Sequence, residues 1–161
     1  MYILGKDKQK IFIESLHLIV KSDEEWVRHY LDPKSGQEWI TFKFQPEYHG
    51  GGITVLRKDP LPDDIKTWIK YCFESENKDD PNGLGMELSD QYELWPDVIG
   101  WLEDNWPNIP KGRIKNFIEH LGILLPRNRR NTIGIPPNEV ESDYQHFVDL
   151  ASRAKQLIEA F

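Results

Sequence analysis

Glu47, His49, Gly50, Gly51 and Gly52 stand together in the string QPEYHGGG, where a carboxylate, an imidazole and three residues without a side chain adjoin. A His-Gly-Gly-Gly loop can turn backbone N–H groups toward an oxyanion, as in lipases, but that chemistry also needs a nucleophile elbow of the G-x-S-x-G type. No such string occurs in the chain. The glycines therefore read as a tight backbone passage, with His49 as a local hydrogen-bonding group. Glu47 and His49 could also be two ligands of a metal ion. A third is missing from the pattern: His17, His29, His120 and His146 are scattered and none belongs to an H-E-x-x-H string. The single cysteine, Cys72, leaves no Cys-based zinc site and no internal disulfide. No phosphate-cradling or dinucleotide-binding glycine loop is present either. No catalytic residue, metal or cofactor is expected. A metal-assisted hydrolase using the Glu47–His49 loop stands as an alternative.

Arg127, Arg129 and Arg130 form a basic cluster, with Lys111, Arg113 and Lys115 nearby in sequence. Such residues can contact phosphates. No aromatic stacking motif interleaves them, and the chain carries a formal charge of -7. The expected arrangement is an exposed arginine loop paired with the protein's own acidic surface, with no nucleic-acid partner. A nucleic-acid-binding regulator using residues 127–130 is the second alternative.

The negative charge is local. Residues 74–104 carry ten acids against one base, Lys78, while the preceding and following segments are neutral or slightly basic. Within this stretch, residues 95–106 fall on a helical wheel at about 100° per residue. Trp95, Val98, Ile99, Leu102 and Trp106 gather on one side and should be buried. Asp97, Trp101 and Asp104 lie opposite, so Trp101 is expected on the solvent face between two carboxylates. Asp90, Tyr92 and Glu93 precede them. Tryptophan is the residue type most enriched at binding hot spots. An indole flanked by acids suits an Arg or Lys of a partner through ion pairing and cation–π contact.

The elements that position these residues read as α+β. Residues 26–31 and 39–44 are rich in β-branched and aromatic types. Asp32-Pro33-Lys34-Ser35-Gly36 between them has strong turn chemistry, which predicts a β-hairpin. Residues 53–57 fit a third short strand. The piece KIFIESLHLIVK before the hairpin matches both strand and helix periods. Helices are expected from Pro62, from Pro96 to about Trp106, and from Pro110 to Leu121 with Gly122 as cap. Cys72 falls on the apolar stripe of the first of these, as a small buried residue. Residues 75–91 read as a long acidic loop. A last, long helix runs from about Asn138 with a stripe of Val140, Tyr144, Phe147, Ala151, Ala154, Ile158 and Phe161. The whole is expected as one domain over residues 1–161, a small antiparallel sheet in 1–60 and a helical layer in 61–161. No apolar stretch is long enough for a membrane span and the start lacks a secretory h-region, which predicts a cytoplasmic protein without a membrane partner.

The stretch WVRHYLDPKSGQEWITFKFQPEYHGGGITVLR, residues 26–57, resembles a family of small immunity proteins of bacterial polymorphic-toxin systems. The shared pattern is D-P-x-x-G-x-x-W, a short aromatic strand, then E-x-H-G-G-G and an arginine. It is carried by Asp32, Pro33, Gly36, Trp39, Glu47, His49, Gly50, Gly51, Gly52 and Arg57. The resemblance implies a non-catalytic cytoplasmic antidote that binds one cognate toxin domain, often a nuclease, and occludes its active site. Nuclease domains grip phosphates and tend to be basic, so an acidic face is the complementary surface. The expected contact residues are Asp90, Tyr92, Glu93, Asp97, Trp101 and Asp104, with His49, Gly50, Gly51 and Gly52 holding loop geometry.

Overall fold

A computed structural model describes residues 1–21, 27–44, 52–126 and 133–159. The amino-terminal part holds β1 (Tyr2–Ile3), α1 (Lys6–Glu14), β2 (His17–Lys21), β3 (Arg28–Leu31), β4 (Glu38–Phe44) and β5 (Ile53–Asp59). The strands form one antiparallel sheet in the order β1-β5-β4-β3-β2. The hairpin lies where turn chemistry puts it. Asp32 accepts the Lys34 N–H at 3.0 Å and the Ser35 hydroxyl at 2.5 Å, which closes the bend between β3 and β4. The ambiguous piece divides: its first half is helix α1 and its second half is the edge strand β2. Both periods were real, because Phe12 and Ile13 of α1, together with Leu16, pack on Tyr30, Trp39 and Leu56 across one face of the sheet.

The other face meets the helical layer. It comprises α2 (Ile65–Glu74), α3 (Asp79–Leu88), α4 (Trp95–Asn105), α5 (Lys111–Leu121) and α6 (Pro137–Glu159), and short 3₁₀ turns cover Tyr92–Leu94 and Trp106–Asn108. Alternation along the strands sends Tyr2 and Val55 into this larger core, which also takes Phe73, Leu84, Trp95, Ile99, Phe117 and Phe147. The architecture is α+β, with the sheet first and a long carboxy-terminal helix last. Asp64 caps α2 by accepting the Thr67 N–H at 2.8 Å. Gly122 ends α5 at φ 71°, a left-handed cap that a residue with a Cβ adopts at a cost.

Two expectations are corrected. Residues 75–91 are mostly not loop: α3 occupies Asp79–Leu88 and is largely buried. Its sequence, DDPNGLGMEL, is poor in helix formers, and tertiary contact overrides that weakness. A Cβ at Gly83 would lie 2.3 Å from the Tyr2 ring, and one at Gly85 would lie 2.7 Å from the Phe117 carbonyl oxygen. The glycines are what let α3 sit this close to β1 and α5. The seam of α6 also differs from the expected stripe. Phe147, Leu150, Ala151, Ala154 and Leu157 are buried, whereas Tyr144 is exposed and Val140 and Ile158 are half-buried. Phe161 lies outside the described residues. A strict alternation of threes and fours drifts about 20° per heptad around a straight helix, so the ends of such a stripe leave the buried face.

Candidate functional site

The helix α4 buries Trp95, Val98, Ile99 and Leu102, as its wheel requires, while Trp106 is half-buried. The Trp95 indole N–H donates to the Leu88 carbonyl at 2.8 Å, fastening the start of α4 to the end of α3. This rotation turns Asp97, Gly100, Trp101 and Asp104 outward, one helical stripe at positions i, i+3, i+4 and i+7. Asp97 and Asp104 are exposed, as are Glu93 and Asp90 before the helix. Nothing lies within 4 Å of where a Gly100 side chain would begin, so the middle of the stripe is open.

Trp101 is not a free-standing indole. It is half-buried and stacks on Phe73 of α2, ring centroids 5.8 Å apart at 29°. The wheel of one helix misses this because α2 lies beside α4 and covers one flank of the outward arc. The residue is not fully covered, and Asp97 and Asp104, four positions before it and three after, are exposed. Tyr92 is half-buried as well, its ring edge-on to Phe147 at 6.0 Å. It ties the 3₁₀ turn to α6.

Tertiary structure divides the acids of residues 74–104 into two groups. Asp80 is buried and accepts the Met1 α-ammonium at 2.6 Å. Asp79 accepts the Leu4 N–H. Glu87 holds Arg57 Nε at 2.8 Å and the Tyr2 hydroxyl at 2.6 Å. Glu103 forms a two-pronged pair with Arg153 of α6, at 2.8 and 2.6 Å. By contrast, the side chains of Asp90, Glu93, Asp97 and Asp104 have no ion-pair or hydrogen-bond partner among the described residues. Glu74 faces Lys70 at 3.9 Å, and Asp79 keeps its charge because its donor is a neutral N–H. The negative charge of the segment left without a cation is therefore carried by these four together with Glu76 and Asp79.

Glu103 also sets a pH dependence. The hydrogen bond from Arg153 holds its carboxyl below the usual carboxylate range. A lowered folded-state value stabilises above the unfolded value of about 4.3, and the gain is lost as pH falls through the folded one. Because Glu103 is 37% exposed and Arg153 33%, the worth of the pair is under about 1 kcal/mol. Urea unfolding of Glu103→Gln should show that small deficit at pH 7 and a closing gap as the pH is lowered through the carboxylate range. A gap that persists in acid would mean the contact is not ionic.

A second cluster escaped the sequence reading. Arg57 lies in the sheet and reaches Glu87, Asp59 at 2.6 Å and the Lys58 carbonyl at 2.9 Å. Burial pushes the Glu87 carboxyl up, and Arg57 and the Tyr2 hydroxyl pull it back. The only hint in the sequence was Arg57 itself, as the last residue of the immunity-like pattern. This network floors a cleft of about 270 Å³ between β4, β5 and the end of α3, and Asp90 is among its lining residues.

Of the other candidates, Cys72 is fully buried and burial pushes its thiol up, which suits packing and not nucleophilic attack. Arg113 is drawn inward, donating to the Cys72 carbonyl at 2.8 Å, so it is not a free phosphate contact. Lys115 faces Glu119 at 3.9 Å. Glu47, His49, Gly50, Gly51 and the arginines Arg127, Arg129 and Arg130 lie outside the described residues; Gly52 is described, at φ 72°. Among the described residues no group of three or more His, Cys, Asp or Glu is placed to hold a metal ion, and no helix is long and apolar enough to cross a membrane. Compared with protein-family models, curated proteins and solved structures, the chain matches none.

Proposed function

We propose that this protein is a non-catalytic inhibitor: a cytoplasmic immunity protein that binds and blocks a cognate, basic, nuclease-type bacterial toxin domain. The observation that carries the reading is the set of four exposed carboxylates, Asp90, Glu93, Asp97 and Asp104, left without partners beside a partly exposed Trp101. A folded chain that pairs Asp80, Glu87 and Glu103 internally but leaves these four unpaired concentrates exposed negative charge within residues 90–104. Such a field steers a cationic protein and raises its association rate. The half-covered indole adds a rigid apolar contact with little conformational entropy left to lose, because Phe73 already holds one face. The immunity-like pattern in residues 26–57 supports the same reading from a separate part of the chain.

The test is binding to the C-terminal domain of the protein encoded immediately upstream, by co-purification and calorimetry. The double variant Asp97→Lys/Asp104→Lys should bind about 100-fold more weakly, since like charges set against each other at an interface cost several kcal/mol. Its association rate should also lose its dependence on salt, while its melting temperature stays near that of the wild type because both side chains are exposed. An unchanged affinity would reject the acidic face, and no binding by the wild type would reject the partner. The Trp101→Ala variant is a poorer probe, because it also removes the stack on Phe73.

A further inference from the structure

The glycines inside the described helices are not alike. Gly83 and Gly85 of α3 are demanded by packing, since a Cβ there would meet Tyr2 or the backbone of α5. Gly112 is the second residue of α5, in the first turn and outside the interior to which the glycine penalty applies. Gly100 is the sixth of the eleven residues of α4. Its φ is not positive, and nothing lies within 4 Å of where its side chain would begin. Neither backbone conformation nor internal packing therefore calls for glycine, which in the middle of a helix is less stable than alanine. Gly100 shares one stripe of α4 with Asp97, three positions before it, and Asp104, four positions after. A rise of about 1.5 Å per residue sets these two carboxylates about 10 Å apart along the axis, with bare backbone between them. Both are exposed and have no partner among the described residues, and α4 itself carries no Lys or Arg. The charge of the stripe selects a cation.

We infer that Gly100 is a specificity-determining notch: it admits the main chain of the cationic partner against α4, while basic side chains on either side of that segment pair with Asp97 and Asp104. A residue without a Cβ is what the close approach of another backbone requires. The inference rests on the inhibitor reading above and deepens it. The carboxylates set rate and register, and the notch rejects cationic surfaces whose main chain cannot come close.

Calorimetric titration with the upstream-encoded C-terminal domain tests it, using Gly100→Ala and Gly100→Gln beside Asp97→Lys/Asp104→Lys. Glutamine adds bulk without charge and is a good helix former. The expected result is that Gly100→Gln weakens binding at least 10-fold and Gly100→Ala less, while both variants melt at or above the wild-type temperature. Tighter folding with weaker binding is a split that a purely structural role for Gly100 does not produce. If Gly100→Gln binds within twofold of wild type while the double lysine variant is weakened, the notch is overturned and the acidic face stands. If both glycine variants melt well below wild type, the glycine serves the fold and the notch is likewise overturned. If the wild type does not bind, the inhibitor reading falls and the notch with it.

Discussion

Replacing Asp80 by alanine is expected to lower the free energy of unfolding by about 3–5 kcal/mol, the range for removing one member of a buried ion pair. The carboxylate is fully buried and its partner, the α-ammonium of Met1, is 6% exposed. Asp80 Oδ1 also accepts the Tyr2 N–H at 2.6 Å and the Asn77 side-chain amide at 2.8 Å. One atom thus gathers three donors, and its loss leaves a desolvated cation and a buried backbone N–H with nothing to accept them. The same contacts cover the free side of β1, where Asp79 and Asn77 bind Leu4 and the Tyr2 carbonyl. Detaching them also exposes a sheet edge. Urea unfolding at pH 7 is the measurement. Asp80→Asn, which keeps an acceptor but removes the charge, should fall between wild type and Asp80→Ala. A loss below about 1 kcal/mol for Asp80→Ala would mean that solvent reaches the ammonium there.

Gly85→Ala should destabilise by about 3 kcal/mol or more, toward the upper end of what overpacking a core costs. Added to Gly85, a Cβ meets the Phe117 carbonyl oxygen at 2.7 Å, the His120 Cβ at 3.0 Å and the Leu121 nitrogen at 3.3 Å. Two of these three are backbone atoms of α5, which cannot yield without moving the helix and the core behind Phe117, Ile118 and Leu121. The sign is opposite to that of intrinsic propensity, by which alanine in a helix interior gains about 1 kcal/mol over glycine. Gly100→Ala on α4 is the control, because nothing lies within 4 Å of the new methyl group. It should stabilise by about 0.5–1 kcal/mol. Thermal and urea unfolding of the pair read both effects. Equal shifts for the two variants would show that α3 does not lie against α5 as closely as described.

These expectations come from the parts of the molecule that residue types along the chain did not reveal. The hairpin was legible because Asp32, Lys34, Ser35 and Gly36 close their own turn without help from elsewhere. The helices α2, α4 and α5 were legible because each has an apolar stripe and a local end signal, the Asp64 cap of α2, Pro96 in the first turn of α4 and Gly122 after α5. The exposure of Asp97 and Asp104 followed from the same wheel. By contrast α3 looked like a loop, since its glycines make sense only against Tyr2 and the backbone of α5. Trp101 looked solvent-facing, since the covering ring, Phe73, belongs to another helix.

Local chemistry was enough for the α+β order of elements, the turn, most helix faces and the concentration of negative charge in residues 74–104. Short-range forces act between neighbours a few positions apart, so periodicity and capping record them directly. Which acids remain free was decided only in three dimensions. Asp80 finds Met1, Glu87 finds Arg57 and Glu103 finds Arg153, with separations of 79, 30 and 50 positions. An ion pair depends on distance in space, which no composition or spacing along the chain encodes, and only after those pairs form do Asp90, Glu93, Asp97 and Asp104 emerge as unpaired charge.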